Sequence, residues 1–540
     1  MDLTYRGADP PSDQPVPVRV AEPRPAPAPP DAAGDGTGRA LRIAVIAVLA
    51  IGVFLRFASW SHLWLDEALT VNIARLPLGE LTEALRHDGA PPLYYLILHA
   101  WTDVFGTSTL AVRLLPGLFG VATLPLMWFA ARRLGGTRTA WAATVLLASG
   151  PFGARYATEA RMYSLVMVFV LVGLLAILAL LDGGGRRPAV VLGVATGLLL
   201  LTQYWAFYLV AAVGLVLAVV MRRGAQPHRT GARRAIVAMG AGSLLFLPWL
   251  PVFLYQTSHT GTPWGKPPDF SSIFDTVTQF AGGYWDPGLV LGLMYFGLVF
   301  LALFGWPVDN RRVLLELRPR APGSALAAVT FATLAVAVVA GQISRSAFAV
   351  RYAAVVYPFL IILVALGAQV FVDRRVYHGL LAVAVIAGLW ASFPNVVGDR
   401  TSAAKVAQAL AANAQPGDVV AYCPDQLGPS VTRELGAAGN EFDQLTFPRA
   451  TRPEFVDWVD YAKFSKAADP AAFAEMLIER AGPAHEVFVV WAPGYRTFKA
   501  KCQALLSELD ELRPISDRPV KVSTRYFERP GLIRFRGPVG

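Results

Sequence analysis

Over roughly the first 400 positions the apolar residues neither alternate nor recur as narrow stripes; they run unbroken for about a bilayer thickness and then stop at polar clusters. The apolar segments fall at about 41–58, 110–131, 139–153, 162–181, 189–202, 205–220, 234–254, 289–305, 325–341, 352–371 and 377–393. A straight helical span needs roughly 20 residues, so the shorter segments are expected to extend into flanking aromatic and small residues. The stretch 189–220 reads either as two spans or as one kinked hairpin around Gln203. The pattern predicts a polytopic α-helical membrane protein with about eleven transmembrane helices over residues 40–393.

Two regions depart from it. Residues 1–39 carry Pro, Ala, Gly and acidic side chains with few large apolar groups, which predicts a disordered tail on the cytoplasmic side. The first apolar segment is then expected to be an uncleaved signal anchor. Within the loop 59–109, residues 78–87 have the spacing of a short amphipathic helix, and PPLYYLILHAWTDVF at 91–105 mixes aromatic and aliphatic residues as interfacial segments do. After residue 393 the apolar runs shorten and charge rises. GDVVAY at 417–422 and HEVFVVW at 485–491 read as buried strands, and 468–481 and 499–512 have helical periodicity, so 394–540 is expected to be a soluble α/β domain.

Composition agrees: 54% of the 540 residues are hydrophobic and only 16% charged, against about 25% charged in soluble domains. The net charge of +10 does not signal nucleic acid, because the basic residues are dispersed among short connectors. Arg132, Arg133 and Arg138 form one cluster, Arg186 and Arg187 a second, and Arg222, Arg223, Arg229, Arg233 and Arg234 a third. Arg311, Arg312, Arg318 and Arg320, and then Arg374 with Arg375, complete the series. All lie on alternate connectors, which makes that side cytoplasmic and a plasma-membrane location the expectation. The loop 59–109, the turn at 154–161, and everything after 393 then lie outside. There Cys423 and Cys502, the only cysteines, either pair in an oxidising compartment or stay as two thiols.

That topology brings three carboxylates to one side. Asp66 and Glu67 follow the first span in HLWLDEALT, and Glu159 lies in ARYATEARMYSL between two later spans. A carboxylate beside a span is costly unless it is solvated, paired or functional. Asp66 could simply cap a helix starting near Glu67, and Arg155 could pair with Glu159 four residues on. Yet Arg161 beside Tyr163, and Arg345 and Arg351 beside Tyr352, sit against the positive-inside bias, and an arginine fork suits phosphate oxygens. The competing reading is arginines snorkelling to headgroups. His87, Asp88, His99, Gln203, Tyr204, His259 and Lys266 are weaker polar candidates near the same side. No HExxH spacing supports a histidine metal site; a divalent cation such as Mg or Mn on Asp66 and Glu159 stays open. There is no P-loop, dinucleotide fingerprint or GxSxG elbow, so the donor of any transferred group is not expected to be a cytoplasmic nucleotide.

These motifs, with AVRLLPGLFGVATLPLMWFAARRL and VRYAAVVYPFLIILVA, resemble membrane glycosyltransferases of the GT-C superfamily over residues 41–390. The likeness is to the relatives of protein O-mannosyltransferases and of the lipid A aminoarabinose transferase. It implies inverting transfer of a sugar, most readily mannose, from a polyprenyl monophosphate carrier to a hydroxyl of a cell-envelope glycan, glycolipid or protein. Arabinofuranosyl or aminoarabinose transfer is the alternative. By resemblance Asp66 is the general base with Glu67 beside it, Glu159 is the second-loop carboxylate, Arg161 the arginine that follows it, and Arg351 an arginine near the carrier phosphate. The Arg-, Ala- and Gly-rich composition is compatible with a high-GC actinobacterium. A transporter would place ionisable residues near the midplane and repeat its spans, which this chain does not. A noncatalytic lipid-glycan binding protein leaves Asp66 and Glu159 without a task.

Overall fold

Long apolar segments can satisfy their backbone in lipid only as helices, and they do so here. The computed structural model describes residues 35–262, 264–436 and 442–537; most of the tail expected over 1–39 lies outside them, and residues 35–39 already belong to a helix. The described residues up to Ile46 and those from Ala47 onward group as two units, the second of which holds the C-terminal sheet and every candidate site residue.

In chain order the first helices are α1 (Asp35–Leu55), α2 (Leu65–Ala74), α3 (Leu78–Asp88), α4 (Leu93–Phe105), α5 (Thr109–Ser149), α6 (Pro151–Ala157) and α7 (Tyr163–Leu181). Among the described residues, eight helices are long and apolar enough to cross a membrane, making this a polytopic helical membrane protein. The difference from eleven has physical causes. Helix α5 contains two of the expected segments, and the chain breaks between them at Gly135 and Gly136, where Gly136 takes φ +76°, open to glycine but strained for other residues. The stretch 189–220 forms two helices, Arg186–Leu200 and Ala206–Arg223, separated around Gln203. The first of these, like Tyr357–Ala368, is shorter than a straight span. Arg56 stitches the bundle: its buried guanidinium donates to the carbonyls of Gly52, Gly120, Leu147 and Ala148 at 2.6–3.2 Å, which satisfies its donors without a counter-charge.

The amphipathic segment expected at 78–87 is α3, and 91–105 is the aromatic helix α4. A small antiparallel pair, β1 (Gly305–Pro307) and β2 (Val313–Leu315), joins two spans. The last span runs Arg374–Val397, so the change of composition falls a few residues later than 393. Beyond it lies a mixed sheet of β3 (Val419–Cys423), β4 (Asp443–Thr446), β5 (Val487–Trp491), β6 (Ser516–Val520) and β7 (Gly531–Phe535) in the order β4-β3-β5-β7-β6. Strands β3, β4 and β5 are parallel, and β7 is antiparallel to both its neighbours. Every residue of β3 is buried, as an unbroken apolar run in a sheet covered on both faces should be. Helices Pro470–Ala481 and Lys501–Leu512 stand where periodicity put them. Cys423 and Cys502 form a disulfide with their Cα atoms 5.7 Å apart.

Candidate active site

Helix α2 projects the acidic pair in its first turn, where carboxylates are favoured by the helix dipole. The two side chains then part. Glu67 is fully buried and receives Arg113 as a fork, Nε to Oε1 at 2.8 Å and Nη2 to Oε2 at 2.6 Å. The Ala160 amide donates to Oε1 at 2.9 Å, and Arg400 Nη1 to Oε2 at 3.3 Å. Burial alone would raise this carboxyl, but the Arg113 guanidinium outweighs it and holds Glu67 at about 2. The lone pairs of Glu67 are taken by these four donors, and it ties α2 to the turn bearing Glu159.

Asp66 stays partly open, 17% exposed, with Arg351 Nη2 at 3.4 Å from Oδ2. Thr70 Oγ1 donates to the Asp66 carbonyl at 2.6 Å and takes Arg161 Nη1 at 2.7 Å. Arg161 also donates to the Tyr95 hydroxyl at 3.1 Å, and Tyr95 in turn to Asp88 Oδ2 at 2.8 Å. Burial pushes the Asp88 carboxyl up despite Arg161 and Tyr95. The side chain of Arg161 therefore braces α2 and α4.

Glu159 is buried beyond the end of α6, with Arg155 Nη2 at 3.1 Å and Arg400 Nη1 at 3.9 Å from Oε2. Burial raises its carboxyl, and the two arginines only partly offset that. Arg400 also donates to the Thr158 carbonyl at 2.9 Å and to Thr158 Oγ1 at 2.7 Å. Burial, then the neighbouring Arg155, bring Arg400 down to about 9.

Arg351 is ringed by aromatics, with Trp64, Trp264 and Tyr352 centroids 5.8, 5.1 and 5.5 Å from its guanidinium carbon. Gln203 donates to the Tyr352 carbonyl at 3.2 Å. Around this centre, polar atoms are buried with no hydrogen-bond partner among the described residues: Trp64 Nε1, Glu159 Oε1, Arg161 Nε, Tyr163 Oη, Gln203 Oε1 and Arg351 Nε, while Glu159 Oε2 is held by its ion pair with Arg155. Native interiors seldom leave such atoms unmatched, and a cluster of them marks where a polar ligand would supply partners.

Three predicted residues are engaged elsewhere. His87 Nδ1 lies 2.9 Å from Asp457 Oδ1, so it ties α3 to the C-terminal domain. Tyr204 bonds Gln256 and receives Trp249 Nε1 at 3.0 Å, bracing two helices. Arg345 is the exposed left-handed cap of helix Gly323–Ser344. For a metal, Asp66 and Glu159 are each faced by guanidinium groups, and among the described residues no group of three or more His, Cys, Asp or Glu side chains could hold an ion. These donors do not fit a divalent cation.

Arg113, Arg400 and Glu528 were not singled out from the sequence. A signal was present for the first two: each arginine adjoins a span on the side where the positive-inside rule disfavours one. Glu528 carries no local signature.

Residues 89–251 match the family model described as dolichyl-phosphate-mannose-protein mannosyltransferase. No curated protein matches. The fold is similar to that of ArnT from Cupriavidus metallidurans, at a TM-score of 0.56 in the apo state and 0.54 bound to undecaprenyl phosphate. Identity is 15%, with 93% of this chain covered in both comparisons and 100% and 99% of those chains respectively.

Proposed function

We propose that the chain is a GT-C-type membrane glycosyltransferase, as the partial family-model match and the ArnT-like fold support, and that it transfers a sugar from a polyprenyl monophosphate carrier to an acceptor hydroxyl on the outer face of the membrane. The observation that carries this reading is the pairing of one partly open carboxylate, Asp66, with one aromatic-ringed arginine, Arg351, amid unmatched buried polar atoms. Asp66 takes the proton of the acceptor hydroxyl as its oxygen bonds to the anomeric carbon. The bond from that carbon to the phosphate oxygen breaks on the opposite side, which inverts the centre, and polyprenyl phosphate leaves with the electron pair. Arg351 is the cation placed to hold that phosphate. Glu159 and Arg155 border the same space and suit the donor's hydroxyls.

Mannose is the donor sugar favoured by the matched family model, and the acceptor is a cell-envelope glycan, glycolipid or protein. The eleven crossings, the cytoplasmic N-terminus and the extracytoplasmic C-terminal domain belong to this proposal, supported by the arginine-rich connectors and the disulfide. The test is to incubate the purified protein in nanodiscs with polyprenyl-phosphate mannose, arabinose or aminoarabinose and an envelope acceptor fraction, and to measure polyprenyl phosphate released. Acceptor-dependent release from the mannosyl carrier, lost in D66N, is expected. Release from a pentosyl carrier alone would overturn the mannose reading, and release by D66N at the wild-type rate would overturn the base.

A further inference from the structure

Helix α2 has no cap of its own. The residue before it is Trp64, in extended conformation, and no side chain there accepts from the first turn. A helix start leaves several backbone N–H groups needing acceptors, and the Leu65 amide finds one 463 residues away, at Glu528 Oε1, 3.2 Å distant. The same oxygen accepts from Ser430 Oγ at 3.0 Å. Glu528 is 4% exposed, and its Oε2 has no partner among the described residues. The neighbouring Phe527 ring meets Trp64 edge-on at 5.1 Å.

The backbone of Glu528 is itself fixed. Its amide donates to the Arg400 carbonyl at 2.9 Å, and its carbonyl accepts from Ser402 at 3.2 Å. From this one bridge, two side chains diverge: Glu528 to the start of the helix bearing Asp66, and Arg400 to Glu67, Thr158 and the edge of Glu159. The loops carrying the two candidate carboxylates are thus referenced to a single point of the C-terminal domain.

We propose that Glu528 is a positioning residue for Asp66, with Arg400 as the second arm of the same clamp, so that the C-terminal domain is part of the catalytic apparatus. A carboxylate one residue past an uncapped helix start moves when that turn frays, and a misplacement of about 1 Å costs about 100-fold in rate. This inference rests on Asp66 being the base.

The experiment compares E528A, E528Q and D66N as full-length proteins in the carrier assay. Alanine removes the acceptor, whereas glutamine keeps a carbonyl oxygen for Leu65 and Ser430 without the ionisable group. E528A is expected to lower kcat about 10- to 100-fold with the KM for the lipid donor within about 3-fold, and E528Q to restore kcat to within about 3-fold of wild type. Wild-type kcat in E528A, or equal impairment of E528Q and E528A, overturns the proposal. Should E528A not fold, E528D, one methylene short of Leu65, replaces it: reduced kcat beside an active E528Q is expected, and equal kcat in the two overturns the proposal. An inactive D66N beside a fully active E528A sinks this inference alone, whereas an active D66N sinks the base assignment beneath it.

Discussion

Glu67 and Asp66 are neighbours in sequence, and converting each to its amide separates a structural carboxylate from a chemical one. In Glu67→Gln the side chain keeps its shape, but one oxygen becomes an NH2 that faces Arg113 Nη2 and Arg400 Nη1, both donors. Two buried guanidinium groups then lose their counter-charge. Breaking a buried ion pair from one side costs about 3–5 kcal/mol. The direction agrees: despite burial, the Arg113 guanidinium holds the Glu67 carboxyl well below its ordinary value, so the charged form stabilises the fold. Because the folded value is depressed, this stability is fully present above about pH 4.5 and is lost as pH falls toward 2. The assay is denaturant unfolding in detergent, followed by tryptophan fluorescence, beside turnover measured at a temperature where both variants are folded. E67Q should unfold at markedly lower denaturant while its folded fraction still turns over. D66N should cost less stability than E67Q, because Asp66 is partly open and meets one arginine at 3.4 Å where Glu67 meets two, and should lose about 100- to 10,000-fold in rate. Wild-type stability with abolished turnover in E67Q would refute the division of roles.

Arg351→Ala should raise the KM for the carrier about 10-fold or more, with Arg351→Lys intermediate because it keeps the charge without the fork; unchanged donor affinity in R351A, read by lipid-phosphate binding, would remove it from the phosphate site. Reducing Cys423–Cys502, which closes a separation of 79 residues, should cost about 2–4 kcal/mol, seen as a lower unfolding midpoint with reductant. No free thiol is present among the described residues, so single introduced cysteines report topology cleanly. A cysteine at the exposed His62 should react with an impermeant maleimide on intact cells, and one at His228 only after permeabilisation. The reverse labelling would place Asp66 on the wrong side for an outer-face carrier.

How far the site was legible depended on how far apart its partners lie in the chain. Arg155 and Glu159 are four residues apart, and their pairing could be anticipated from that spacing. The partners of Glu67 stand 46 and 333 residues away, and nothing in the pattern around LDEALT distinguishes a carboxylate that will be buried under two arginines from one that will stay open. Arg161 is two residues from Glu159 in the chain, yet the chain turns there and sends its guanidinium to Thr70 and Tyr95.

By itself the amino-acid order determined the membrane-spanning character, the arginine-marked connectors, the start of α2 beside the first span, and two of the strands, β3 and β5, with two helices of the C-terminal domain. Each of these follows from solvation or periodicity, which act within a window of one element. Tertiary structure alone decided which acid of the pair is locked and which is open, and that Arg400 and Glu528 reach back from the C-terminal domain to hold them. A buried charge must find a counter-charge or a set of hydrogen-bond partners wherever packing brings them, and that choice is made by geometry across the whole chain.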